Sequence, residues 1–153
     1  MKIMLGSDHR GVQTVTQLAE MLSRLGHEVE LDIPAQGESC DYPEPAFRVG
    51  SKVAAGQVDR GVLICGTGIG MSLAANKVHG IRAAVVHDEL TAQLSRSHND
   101  ANIVCLSGDL LGQRLIEQLV RVFLKTDFEG GRHARRIAKI TAIEEGKNPM
   151  ECC

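Results

Sequence analysis

The sequence predicts an α/β protein, a Rossmann-like three-layer αβα sandwich with a five-stranded parallel sheet. Two observations carry this. Five short apolar runs alternate with longer stretches whose apolar residues recur with a period near 3.6. The short runs are apolar almost throughout, which suits strands buried on both faces of a sheet. Right-handed crossovers between such strands give a doubly wound sandwich, Rossmann-like or flavodoxin-like. The chain has 153 residues, with 43% apolar and 24% charged, enough for one domain with a real core. No linker, repeat or low-complexity tract breaks it, so a single domain over 1–153 is expected.

The first strand is read at Lys2 to Gly6. Val12, Val15, Leu18, Ala19, Leu22 and Leu25 mark an amphipathic helix that ends at Gly26. Glu28 to Ile33 is the second strand. Pro34 to Pro45 holds three of the four prolines and reads as a loop, followed by a helix over Ala46 to Ala55. Gly61 to Cys65 is the third strand, with a helix from Met71 to about Lys77. Ile81 to Val86 is the fourth, and Asp88 caps a helix through Leu94. Ala101 to Leu106 is the fifth, followed by a strongly amphipathic helix over Leu110 to Leu124. After Gly130-Gly131 a last helix runs from about His133 to Glu145.

The bulk properties exclude several classes. A net charge of −2 offers no general basic surface for nucleic acid. No apolar run approaches the ~20 residues that span a bilayer. Met1 to Asp8 reads as a strand and not as a signal peptide. The five cysteines are odd in number and lack paired C-x-x-C frames. Reduced thiols in a cytoplasmic protein with no metal site are expected. Cys152 and Cys153 read as part of a flexible C-terminal tail.

Ligands of open α/β sheets gather beyond the strands' C-terminal ends. That rule draws in Ser7-Asp8-His9, the turn after Cys65, His87 and the loops near Asn99. Cys65-Gly66-Thr67-Gly68-Ile69-Gly70 joins a thiol to a glycine-rich turn opening a helix, and backbone N–H groups there suit an anion. A tight structural turn with an inert core cysteine is the plain alternative. The spacing is neither G-x-G-x-x-G nor a Walker A loop. Asp8 suits sugar hydroxyls or an N-cap, and His9 suits phosphate or solvent. His98 and Asn99 suit acid–base work and an oxyanion, or an ordinary loop. Arg132 and Arg136 share a helix face and suit a phosphate monoester or plain solvation; their cost against the helix dipole favours the anion. Asp41-Tyr42-Pro43 frames a site or forms a turn.

Taken in order, Gly6-Ser7-Asp8-His9, Asp41-Tyr42-Pro43, Cys65 to Gly70, Ala74-Ala75-Asn76-Lys77, Ser97 to Asn102 and Gly130-Gly131-Arg132-His133 span nearly the whole chain. This ordered set resembles the ribose-5-phosphate isomerase B family, also called the LacAB sugar-phosphate isomerases. The resemblance implies a cofactor-free aldose–ketose isomerase of a pentose or hexose phosphate, working through a cis-enediolate. It implies that Cys65 is the base, since the glutamate used in another branch falls at Met71. It implies that Thr67 and His98 open the sugar ring and that the N–H groups of Gly66, Thr67, Gly68, Ile69 and Gly70 hold the enediolate. Asp8 and Asn99 match sugar-hydroxyl contacts; His9, Arg132 and Arg136 match phosphate contacts. It also implies a homodimer or homotetramer with sites at the subunit interface.

One position departs from the pattern. Many members of that family carry an arginine after the fifth strand, where this chain has Asp109. A carboxylate there either repels a phosphate or caps the helix expected at Leu110. Two competing readings remain: a nucleotide-binding module with Asp32 near the ribose, and an isomerase of a different sugar, with or without phosphate. A silent sugar sensor is disfavoured by the retained Cys65, Thr67 and His98.

Overall fold

The computed structural model describes residues 1–151, so the expected tail at Cys152 and Cys153 lies outside the described residues. The elements in chain order are β1 (Lys2–Ser7), α1 (Val12–Arg24), β2 (Glu28–Asp32), α2 (Pro43–Ala54), β3 (Arg60–Cys65), α3 (Ile69–Ala75), β4 (Ala83–Val85), α4 (Glu89–Ser97), β5 (Ile103–Ser107), α5 (Gln113–Lys125) and α6 (Arg132–Glu144). The strands form one parallel sheet in the order β2-β1-β3-β5-β4. The αβα sandwich expected from the sequence is present. Its strand order exchanges the last two strands of the flavodoxin arrangement. β3 leads through α3 to the far edge, and β4 returns through α4 to fill the gap beside β3.

Right-handed crossovers place leftward and rightward shifts on opposite faces. Accordingly α1, α4 and α5 cover one face, where Ile3, Leu5, Ile64 and Leu106 meet Leu18, Leu22, Ile116 and Phe123. α2 and α3 cover the other, where Met4, Leu63, Ile103 and Cys105 meet Val49, Met71 and Ala75. Odd and even positions of one strand are both buried, which is why the runs are continuously apolar.

Several boundaries differ from expectation for local reasons. The proline loop ends early because Pro43 opens α2 at its first turn, where a missing N–H costs nothing. α5 starts only at Gln113 because residues 108–110 form a separate turn, with the Leu110 N–H bound to the Ser107 hydroxyl at 2.9 Å, and Gly112 is extended (φ −74, ψ 149). α4 begins where expected, with a capping box between Asp88 and Thr91. β4 is only three residues long, and Asn76 clips its backbone: the Asn76 amide accepts from the Ala83 N–H at 2.9 Å and donates to the Ala83 carbonyl at 2.8 Å. Among the described residues no helix is long and apolar enough to cross a membrane.

Candidate active site

Cys65 ends β3, 4% exposed, on the sheet face shared with Met71 and Cys105. Its Sγ accepts the Gly68 N–H at 3.2 Å, so the turn folds back onto the thiol. Gly68 has φ +77, and a Cβ there would lie 3.1–3.2 Å from the backbone of Leu106; glycine is required on both counts. The Thr67 hydroxyl accepts the Ile69 N–H at 3.3 Å. Tyr42 lies across the next turn, since a Cβ on Gly70 would come within 2.6 Å of its ring.

The loop after β5 fixes the turn from the other side. Gly108 N–H donates to the Cys65 carbonyl at 2.8 Å, and the Ser107 hydroxyl donates to the Gly66 carbonyl at 2.5 Å. Asp8 is 6% exposed and accepts the Arg10 N–H at 2.9 Å; it does not cap α1, whose N-cap is Gly11. His9 is exposed, with Nδ1 3.3 Å from the Cys40 carbonyl. Burial pushes the Cys105 thiol well up, and nearby Cys65 adds to this. Cys105 therefore stays a protonated core residue. Met71 is fully buried and offers no base.

His98 and Asn99 lie elsewhere. They close α4 and lead into β5, which puts them at the N-terminal end of the sheet; the expectation that the Asn99 loop joins the Cys65 end is corrected here. The Asn99 carbonyl accepts from Arg82 Nε at 3.1 Å, just before β4, and Asp100 is ion-paired to Arg82. β3 alone interposes roughly 16 Å between the two ends. Arg132 and Arg136 open α6 at this same N-terminal end. The His98 and His133 rings stack at 4.1 Å, 11° from parallel, and Arg132 Nε donates to His133 Nε2 at 3.3 Å. Burial first, then His98, Arg132 and Arg136, pull the His133 pKa down, against Glu129. His98, Glu129 and His133 bring ligand-capable atoms within 4.8 Å of one another. With two guanidinium groups beside them, the cluster suits an anion better than a cation.

Two groups of candidates thus exist in one chain. Asp8, His9, Cys65, Gly66, Thr67, Gly68, Ile69 and Gly70 share the C-terminal end. His98, Asn99, Arg132 and Arg136 share the N-terminal end.

Against known proteins, residues 3–140 match the family model described as Ribose/Galactose Isomerase. The chain belongs to that family. It is 44% identical over 147 residues to the ribose-5-phosphate isomerase B of Escherichia coli, covering 96% of this chain and 99% of that one. It superposes on the ribose-5-phosphate isomerase B of Clostridium thermocellum with a TM-score of 0.93 and 46% identity, over 95% of this chain and 99% of that one. The Mycoplasma genitalium ribose-5-phosphate isomerase B with bound ribulose-5-phosphate gives a TM-score of 0.91 and 42% identity, over 94% and 96%.

Within the ribose/galactose isomerase family, the departure at Asp109 acquires a physical setting. Asp109 does not cap a helix; the N-cap of α5 is Gly112. It forms a two-point pair with Arg10, whose Nη2 and Nε lie 2.7 and 2.9 Å from Oδ2. Its own N–H donates to the Gly66 carbonyl at 3.2 Å. Arg10 stood beside the Asp8-His9 motif, but nothing local tied it to a partner 99 positions away. His133 and Glu129 were likewise missed as partners of His98; only the four-residue spacing from Glu129 to His133 hinted at them.

Proposed function

We propose that this chain interconverts an aldose pentose phosphate, ribose 5-phosphate above all, and its ketose through a cis-enediolate, with Cys65 as the base. The observation that carries this is Cys65 itself, a thiol at a strand end whose Sγ is held by the turn N–H of Gly68. Thr67 and His98 open the sugar ring. Cys65, as thiolate, takes the proton from C2, and the C1 carbonyl becomes one enediolate oxygen. N–H groups of the turn Gly66–Gly70 stabilise that oxygen, an effect worth roughly 3–4 kcal/mol per well-placed donor. The proton returns to C1, and the O2 hydroxyl proton passes to O1. The reaction moves protons only and is redox-neutral overall, so it requires no redox cofactor.

Asp8 and Asn99 bind sugar hydroxyls, while His9, Arg132 and Arg136 bind phosphate. Because one chain holds these groups at opposite ends of its sheet, a complete site takes His98, Asn99 and the arginines from a second copy in a homodimer or larger homo-oligomer. The setting is the cytoplasm. The nucleotide-binding reading loses support because Asp32, its ribose acid, is held by Arg48 Nε at 2.8 Å. The test is isomerisation of a panel of phosphorylated and free aldoses by the wild type and by Cys65→Ala. A loss of about 10²–10⁴-fold is expected for the variant; wild-type turnover in Cys65→Ala rejects the base.

A further inference from the structure

We infer that Arg10 is a substrate-contacting residue that binds the phosphate end of the sugar, and that Asp109 is the positioning residue that holds it there. The inference rests on the isomerase reading and deepens it by assigning a residue outside the motif set.

Arg10 sits against the Cys65 turn. Its backbone N–H is bound to Asp8 Oδ1, and a Cβ on Gly66 would lie 3.4 Å from its Nε and 3.0 Å from Asp109 Oδ2. The pair therefore rests directly on the first glycine of the Cys65 turn. On its other side Arg10 lines, together with His9 and Gln13, an open groove of about 1020 Å³ walled by the 33–39 loop. No residue of the turn lines that space; Arg10 stands between the two, so the groove has room for the phosphate end of a sugar whose reacting carbons lie at the turn. About half of the Arg10 side chain is exposed, and Asp109 engages only the Nε and Nη2 edge of its guanidinium. The Nη1 side remains for a ligand.

Charge and rigidity point the same way. An unpaired carboxylate at 109 would repel a phosphate, but here it is matched against Arg10. Asp109 is itself fixed by its N–H bond to the Gly66 carbonyl. A guanidinium held in this way loses little freedom on binding and presents a fork that fits a phosphate. An arginine is thereby supplied from the β1 loop on a chain that has a carboxylate in the loop after β5.

The experiment compares wild type, Arg10→Met, Arg10→Lys, Asp109→Asn and the double variant Arg10→Met/Asp109→Asn. Readouts are kcat and KM for ribose 5-phosphate and the Ki of inorganic phosphate as competitor, with thermal midpoints as a fold control. Arg10→Met is expected to raise KM and the phosphate Ki together, about 10- to 100-fold, with kcat changed less than about threefold. Arg10→Lys recovers part of this loss. Asp109→Asn gives a smaller rise in both, and the double variant is no worse than Arg10→Met alone. A raised KM with an unchanged phosphate Ki, or a loss confined to kcat, overturns the contact. Additive single effects overturn the positioning role. A wild type that turns over no sugar phosphate defeats the isomerase reading instead, and phosphate binding by calorimetry then still decides Arg10.

Discussion

The two ends of the sheet are built differently. The C-terminal end is closed by backbone: turn N–H groups, strand carbonyls and a glycine at φ +77 leave the thiol one position. The N-terminal end is built from side chains: two stacked imidazoles, Glu129 and the α6 arginines. The first is suited to a reacting carbon, which needs fixed donors. The second is suited to gripping a charged or exposed part of a ligand that arrives from outside. Under the proposed function neither end is sufficient alone, and the chemistry would depend on how two copies meet.

The strongest test of that division is complementation. Cys65→Ala and His98→Asn are each expected to be nearly inactive. Co-expressed and assembled at random, half of the dimers are mixed, and each mixed dimer keeps one intact site. Activity should then return to roughly a quarter of wild type. Mixtures that remain inactive would show that each chain builds its site unaided.

A second test probes the rigid end alone. Gly68→Ala puts a Cβ in the left-handed region against the immovable backbone of Leu106. It should cost about 2–3 kcal/mol in urea unfolding and lower kcat sharply. Gly130→Ala also has positive φ but has nothing within 4 Å, so it should cost only about 1 kcal/mol. Equal costs would remove the contrast in packing.

The smallest effect concerns pH. The lowered pKa of His133 means that the folded chain resists a proton that the unfolded chain accepts. Its contribution to stability is complete above about pH 6.5 and is lost as pH falls below that value. The thermal midpoint should fall between pH 7 and 5.5, less so in His133→Gln, and inorganic phosphate should offset the fall. A pH profile unchanged by His133→Gln would discount the cluster.

Much of this was legible in the residues. Continuous apolar runs announced buried strands, and Cys65 to Gly70 announced the turn. The side of the sheet occupied by Asn99 was also legible: a loop that follows a helix and precedes a strand lies at the strand's N-terminal end, and only strand direction had to be followed. The strand order was not, because a right-handed crossover permits β4 to stop beside β3 or to pass one place further. Nor was the Arg10–Asp109 pair, since contact between β1 and β5 loops depends on both flanking β3, a property of the whole sheet.

That strand order has a consequence for synthesis. Among the described residues β4 pairs only with β5, and β3 finds its second neighbour only in β5. As the chain leaves the ribosome, one flank of β3 therefore stays open until residue 107 has emerged, and β4 waits with no sheet to join. An apolar strand with an open flank invites pairing with other chains. The nascent protein is thus most exposed to misassociation over its middle third, and β5 is the segment whose arrival ends that exposure.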